Sequence, residues 1–281
     1  KLTLQSTFQK YLSHILVLKK FNLKKIKAKK KLGQHFLKDS DIAKKIVEAL
    51  NINNLNSIIE IGPGMGILSD HLILLKKKTF FVEIDKDSII YLNNKYSQLK
   101  EYIIEDDFLK IDLKRFNSPI GLIGNFPYNI SSQILFKLIE NREIVDELVG
   151  MFQLEVAKRV CELPGSKTYG ILSVLVQAFY EAEFLFSLSP NYFSPPPKVN
   201  SGVIKLVKKN NINLKCDEAL FFKVVKTSFQ QRRKTLRNSL KIFNLSDNIK
   251  EDVIFGKRPE TLSVDEFVLL TNIIANGIIP T

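Results

Sequence analysis

The 281-residue chain is 45% hydrophobic and 25% charged with a formal net charge of +13, enough for one sizeable domain with a small appendage. It holds no apolar run long enough to cross a membrane, and its two cysteines, Cys161 and Cys216, and three single histidines, His14, His35 and His71, lack metal-ligand spacing. These features argue against a membrane span, a disulfide framework and a metal site, and fit a reducing, cytoplasmic compartment.

The charge is uneven. Residues 1–38 carry eleven lysines and no acid, residues 39–197 carry 16 basic and 21 acidic side chains, and residues 198–281 carry 15 and 8, giving +11, −5 and +7. A mildly acidic body with basic ends suits a polyanion gripped from its flanks, of which nucleic acid is the commonest; solvated lysines in a Lys- and Asn-rich protein are the alternative.

Residues 1–28 mix lysine with Leu, Phe and Ile and are left open between an amphipathic helix, a targeting leader and residues extraneous to the fold. Folded sequence is expected from residue 29. Over 30–50, Asp39 or Ser40 caps a helix whose apolar face is Ile42, Ile46, Val47 and Leu50. Over 57–75, a short β-branched strand runs into Gly62, Gly64 and Gly66 and then into an amphipathic helix. Glycines at that junction let the backbone turn tightly and approach a ligand.

The strand over 79–85 ends in Glu83, 21 residues past Gly62, at the distance where an acid can accept from both ribose hydroxyls of a nucleoside cofactor. A dinucleotide fingerprint wants glycine where Ile67 stands. A third short strand over 102–105 leads to Asp106 and Asp107, acids that suit an adenine amino group and would repel a pyrophosphate. S-adenosylmethionine, which has adenine, ribose and a sulfonium but no phosphate, fits these acids better than NAD.

An apolar run over 120–123 then enters GNFPYNISS, residues 124–132, at a strand's end before a helix, where open α/β sheets place ligands. The Asn125 carboxamide oxygen and the Phe126 carbonyl, held close by Pro127, offer two acceptors to one exocyclic amine, and Tyr128 can stack on its ring. Taken alone, the motif fits a capped strand-to-helix turn equally well. Strands are expected over 145–152, 176–188 and 202–207, completing a seven-stranded sheet. From residue 208 the pattern turns helical, with Phe221, Phe222, Val225 and Phe229 on one stripe and Arg232, Arg233, Lys234 and Arg237 exposed near a helix start; planar guanidinium forks suit RNA phosphates, with a solvated basic face as the alternative.

Eight motifs in register, GQHFL, EIGPGMG, VEID, EDDFL, GNFPYNISS, FSPPPKVNS, SFQQRRKTLRNSL and FGKRPETLSVDEF, resemble the ribosomal RNA adenine dimethyltransferases that modify small-subunit RNA. The resemblance covers about residues 29–274. It implies a Rossmann-like α/β methyltransferase domain over 29–207 and a small α-helical RNA-contacting domain over 208–281. It also implies S-adenosylmethionine contacts from His35, Leu37, Gly62, Gly64, Glu83, Asp107 and Asn125, and a target adenine clamped between Tyr128 and Phe193. Read without the family, Phe193 is a core residue. Phe126 replaces the Leu of many relatives, with little consequence expected because only its carbonyl is asked to act. The implied reaction is double methylation of two adjacent adenines in a 3′-terminal hairpin of small-subunit RNA. The implied partner is an immature small ribosomal subunit, bound by a monomeric enzyme. A large-subunit RNA methyltransferase, a DNA amino-methyltransferase and a non-catalytic assembly or transcription factor are the rivals.

Overall fold

The computed structural model describes residues 26–277, so most of the leader lies outside the described residues. The described chain begins with an arm in which a single 3-10 turn, Lys30–Leu32, ends at Gly33 with φ +62° before β1 (Phe36–Leu37). Helix α1 (Ser40–Glu48) starts at Asp39, whose carboxylate accepts from the main-chain N–H groups of Asp41 and Ile42 and so selects Asp39 over Ser40 as the cap. The apolar stripe then turns Ala43, Ile46 and Val47 inward.

The central unit alternates strand and helix. Strands β2 (Ser57–Ile61), β3 (Thr79–Glu83), β4 (Ile103–Glu105), β5 (Ile120–Asn125) and β6 (Val145–Gln153) run parallel, with α2 (Lys86–Lys95) between β3 and β4 and α3 (Ser131–Glu140) between β5 and β6. Helices α4 (Leu154–Cys161) and α5 (Ile171–Gln177) precede β7 (Tyr180–Leu188); the two-residue β8 (Phe193–Ser194) pairs with β1, and β9 (Ser201–Lys208) closes the sheet antiparallel to β6 and β7. The order β4-β3-β2-β5-β6-β9-β7 gives the expected seven strands. Its direction of growth reverses between β2 and β5, which opens a crevice at their carboxyl ends.

Two expectations shift. Val176 and Gln177 end α5 rather than begin a strand, because the run ILSVLV is buried on nearly every side and carries no period to separate helix from strand. Its start is set by Gly170, whose N–H donates to Ser173 Oγ at 2.9 Å. After the glycine turn, the expected amphipathic helix is one α-turn, Ser69–Leu72, followed by a 3-10 turn, Ile73–Leu75.

Alternation along the strands divides the core by face. Ile59, Leu122 and Leu148 belong to one buried cluster, while Ile58, Ile123 and Val149 belong to the other, with α1. The first cluster continues into the C-terminal helices α6 (Glu218–Gln230) and α7 (Val264–Gly277) through Phe221, Val224, Phe267 and Leu270. Phe179 stacks on Phe222 at 6.2 Å, and Arg142 lies over Phe179 while bonding Glu218 at 2.6 Å. The helical segment is thus docked through a shared core.

One carboxylate of β2 is wholly out of solvent. Glu60 is 2% exposed and accepts from Ser69 Oγ at 2.6 Å. Burial pushes its carboxyl up to about 8, against the Ser69 hydrogen bond and Lys95, and with Asp70 and Glu83 adding to the rise. The folded protein therefore holds a proton that the unfolded chain releases near 4.5, so stability falls as pH rises from about 4.5 to about 8 and levels off above. Replacing Glu60 by Gln, which keeps a partner for Ser69, is expected to flatten the fall in Tm between about pH 5 and pH 8. An unchanged slope would locate the linkage elsewhere.

Candidate cofactor and target-base site

A cavity of about 170 Å³ opens at the carboxyl ends of β2, β3, β4 and β5. Its walls include His35, Gly62, Gly64, Glu83, Asp107 and the run Asn125 to Tyr128, so nine of the residues expected from sequence converge on one space. Five chain segments far apart in sequence supply them.

The glycine turn is held from behind. Gly64 has φ +56° and its N–H donates to Glu83 Oε2 at 3.0 Å; a Cβ there would meet the Phe36 ring at 2.8 Å. Lys95 at the end of α2 donates to the Met65 carbonyl at 3.1 Å and pairs with Asp70 at 2.7 Å. Tyr96 packs its hydroxyl 2.8 Å from the Gly66 carbonyl and 2.6 Å from Asp70. The turn is therefore a fixed floor rather than a loose loop.

Glu83 is only 5% exposed, yet its carboxylate has partners on both oxygens. Oε2 accepts from Gly64, and Oε1 accepts from the N–H groups of Ile84 and Asp85, both at 2.9 Å. Burial pushes its carboxyl up, against those three main-chain donors. Of four lone-pair positions, one remains open, on Oε2, so the carboxylate offers a ribose one acceptor where two were expected from sequence. Asp107 keeps its carboxylate at the cavity wall, with Oδ1 accepting from Leu109 N–H at 3.0 Å. The loop behind it is stapled by Lys137 of α3, which donates to the carbonyls of Leu109 at 3.1 Å and Ile111 at 2.7 Å.

At the end of β5, Asn125 Nδ2 donates to the His35 carbonyl at 2.7 Å, which assigns the amide orientation and leaves Oδ1 as its accepting end. Phe126 continues the ladder through its N–H to the Met151 carbonyl at 3.2 Å, while Pro127 has φ −58°. Tyr128 is fixed through its hydroxyl, 2.5 Å from Ser201 Oγ, and its ring lies 5.6 Å from that of His35 at 30°. Burial pushes the Tyr128 phenol up, against the Ser201 hydrogen bond.

Two expected contacts are not brought to the cavity wall. Phe193 is 1% exposed and pairs through β8 with Leu37, inside the cluster that holds Ile123, Met151 and Val203. Its ring is core here, and His35, not Phe193, is the ring beside Tyr128. Leu37 is likewise buried; it borders a smaller void of about 30 Å³ with Gly62 and Asn125. Phe126 also departs from expectation, because its 1% exposed side chain packs edge-on against Phe152 at 4.9 Å and so has a packing role.

The basic quartet lies away from the cavity, in the turn after α6 and in the single turn Leu236–Ser239. Arg232 donates to the carbonyls of Ser166 and Lys167, and Arg237 to that of Lys250 at 2.8 Å, whereas Arg233 and Lys234 are exposed.

Sequence reading missed the latch that holds the arm over the cavity. Lys29 pairs with Asp85 and, at 2.6 Å, with Asp87; Gln34 Nε2 donates to Asp85 Oδ2 at 3.0 Å, and Lys29 N–H donates to Gln34 Oε1 at 2.9 Å. Partial burial opposes ionisation of Asp85, but Gln34 and Lys29 prevail and hold its carboxyl below the usual range. The one signal in the sequence was an acid just past Glu83 at a helix start, where Asp85 also caps α2. Calorimetry of S-adenosylmethionine binding is expected to show a several-fold loss of affinity in Asp85→Asn and Lys29→Ala, and near-normal affinity in Lys29→Arg. Equal affinity in all four proteins would detach the latch from the cavity.

The donor set fits a phosphate-free nucleoside with a cationic sulfur. Glu83, Asp106 and Asp107 line the cavity with no lysine or arginine among the described lining residues, and a Cβ on Gly62 would project into open space.

Comparisons with known proteins agree. The family model of ribosomal RNA adenine dimethylases matches residues 25–276. The chain is 56% identical over 259 residues to the ribosomal RNA small subunit methyltransferase A of Flavobacterium johnsoniae, covering 91% of this chain and 99% of that protein. It is 51% identical over 253 residues to that of Bacteroides thetaiotaomicron, covering 89% and 95%. Among solved structures, a dimethyladenosine transferase from Plasmodium falciparum matches with TM-score 0.73 and 28% identity over 87% of this chain and all of that one. The 23S rRNA methyltransferase ErmE shares the fold, with TM-score 0.64 and 22% identity over 85% of this chain and 99% of that one. The chain belongs to the ribosomal RNA adenine dimethylase family and is an S-adenosylmethionine-dependent methyltransferase.

Proposed function

We propose that this enzyme dimethylates the exocyclic amine of adenines in small-subunit ribosomal RNA, with Asn125, Phe126, Pro127 and Tyr128 as the seat of the target base. The observation that carries the reading is the Asn125 amide, whose nitrogen end is tied to the His35 carbonyl so that Oδ1 is left to accept. The names of the relatives from Flavobacterium johnsoniae and Bacteroides thetaiotaomicron favour the small subunit over the large.

The cofactor supplies a methyl group activated by a sulfonium. With the cofactor bound, Glu83 would hold a ribose hydroxyl through Oε2, Asp107 would receive the adenine amine, and Gly62 would admit the main chain to van der Waals contact. Asn125 Oδ1 and the Phe126 carbonyl accept the two amine hydrogens of the target adenine. Held there, the nitrogen lone pair would leave conjugation with the ring and become a usable nucleophile, so catalysis would rest on positioning and charge complementarity rather than on a strong base. Each transfer would form an N–C bond as the methyl's bond to sulfur breaks and leaves a neutral thioether, with one amine proton passing to solvent; the singly methylated amine then has one hydrogen left, which a single acceptor of the pair would hold for the second.

Tyr128, braced by Ser201, offers its ring for stacking, worth very roughly 1–3 kcal/mol per base. Phe193 can serve as a second face only if β8 shifts, and His35 is the nearer ring. Arg233 and Lys234, with Arg232 and Arg237 beside them, contact RNA phosphates from the helical segment over 208–281, while the domain over 29–207 performs the transfer. The substrate is an immature small subunit, modified at two adjacent adenines of a 3′-terminal hairpin as part of assembly, by a monomer in the cytoplasm.

Labelled methyl transfer to separately purified small and large subunits tests the reading. Label is expected in the small subunit alone, and Asn125→Ala is expected to lose transfer by on the order of 100-fold or more while cofactor affinity falls only modestly. Near-normal turnover by that variant, or label in the large subunit alone, would overturn it. RNA binding is expected to weaken steeply with salt, and Arg233→Ala to make the log-log slope shallower by about one. An unchanged slope would remove Arg233 from the RNA contact.

A further inference from the structure

Phe126 is the second residue past Gly124, so the two face the same side of β5, and Gly124 lies directly beside Gly150 of β6 in the parallel ladder. Neither glycine has a left-handed φ, so the backbone does not require them. What requires Gly150 is the Phe126 ring, and what requires Gly124 is that ring together with the Ile61 carbonyl. A Cβ on Gly150 would fall inside the ring's edge at Cε2, and one on Gly124 would sit 2.7 Å from Cε1 and 2.6 Å from the Ile61 carbonyl. The ring occupies the space left by the two missing side chains and meets Phe152, two residues past Gly150, edge-on at 4.9 Å.

We propose that Gly124 and Gly150 are positioning residues for methyl transfer, size-matched to Phe126 so that its seated ring fixes the height of its carbonyl at the end of β5. This rests on the reading of Asn125 and Phe126 as the acceptor pair. The carbonyl belongs to the same residue as the ring, and among the described residues the main chain of Phe126 is tied by the 3.2 Å ladder bond from its N–H to the Met151 carbonyl. A methyl group added under the ring lifts the carbonyl away from the amine it must accept, and misplacement by about 1 Å costs on the order of 100-fold in rate. Apart from Asn125 and the arm, the cofactor's contacts come from the turn after β2, from Glu83 of β3 and from the loop after β4, none of which a methyl on Gly150 meets.

The test compares wild type, Gly150→Ala, Phe126→Leu and the Gly150→Ala/Phe126→Leu double variant, measuring kcat on small subunits, S-adenosylmethionine affinity by calorimetry, and thermal stability. In Gly150→Ala, kcat is expected to fall on the order of 10- to 100-fold with cofactor affinity unchanged. Leu lacks the ring atoms that the new methyl would strike, so the double variant recovers most of the loss. The inference fails if Gly150→Ala turns over like wild type, if cofactor affinity falls in step with kcat, or if the double variant is as slow as Gly150→Ala. Should Gly150→Ala not fold, a folded and active double variant supports the size match, and one that is slow or also unfolded overturns it. Asn125→Ala in the same assay keeps the two claims apart: full activity there removes the acceptor reading itself, whereas its loss beside a fast Gly150→Ala removes only the glycine inference.

Discussion

A single hydrogen bond joins the two halves of the site: Asn125 at the end of β5 donates to the main-chain carbonyl of His35 in the N-terminal arm. It orients the amide, so it decides which end of Asn125 faces a substrate. The same contact brings the arm across the crevice, where the latch of Lys29, Gln34 and Asp85 fastens it beside Glu83. His35 then reaches the Tyr128 ring on one side and the Pro195 carbonyl, through Nδ1 at 2.8 Å, on the other. The arm residues Leu32 to Phe36 thereby form one wall of the cavity at the strand ends.

The sheet supplies the rigidity that such an arrangement needs. Growth of the sheet in both directions from β2 and β5 puts the glycine turn, Glu83 and Asn125 on adjacent strand ends, and each is tied by main-chain or buried side-chain contacts. Lys95 and Tyr96 hold the glycine turn from the end of α2, and Lys137 of α3 holds the Asp107 loop, so each helix fixes the loop after the strand that precedes its own. The C-terminal helices add no separate core; they extend the cluster around Phe179 and Tyr180 and present basic side chains at its rim.

Much of this was legible in the chain because local chemistry and global position agree. Glycines after a β-branched strand, an acid closing the next strand and an Asn-x-Pro-Tyr closing another each mark a strand end, and in a parallel sheet strand ends meet. What escaped was set by contacts across the sequence. Asp85 reads as an ordinary helix cap, and nothing local says that Lys29 and Gln34 come to it from 50 or more residues away. Phe193 reads as core from its residues and as a clamp from its motif, and β8 pairing with β1 places it in the core. The ILSVLV run gave no period because it is covered on every side, and Phe126 looked like a bystander until the glycines opposite it came into register.

The central claim is that strand-end acceptors at Asn125 and Phe126 present an RNA adenine amine for two successive methylations. Mass spectrometry of nucleosides from small-subunit RNA, isolated before and after incubation with the protein and S-adenosylmethionine, measures this directly. The account predicts the appearance of N6,N6-dimethyladenosine, absent when Asn125→Ala replaces the wild-type protein. Methylation confined to another base, to a ring nitrogen or to the ribose would contradict it.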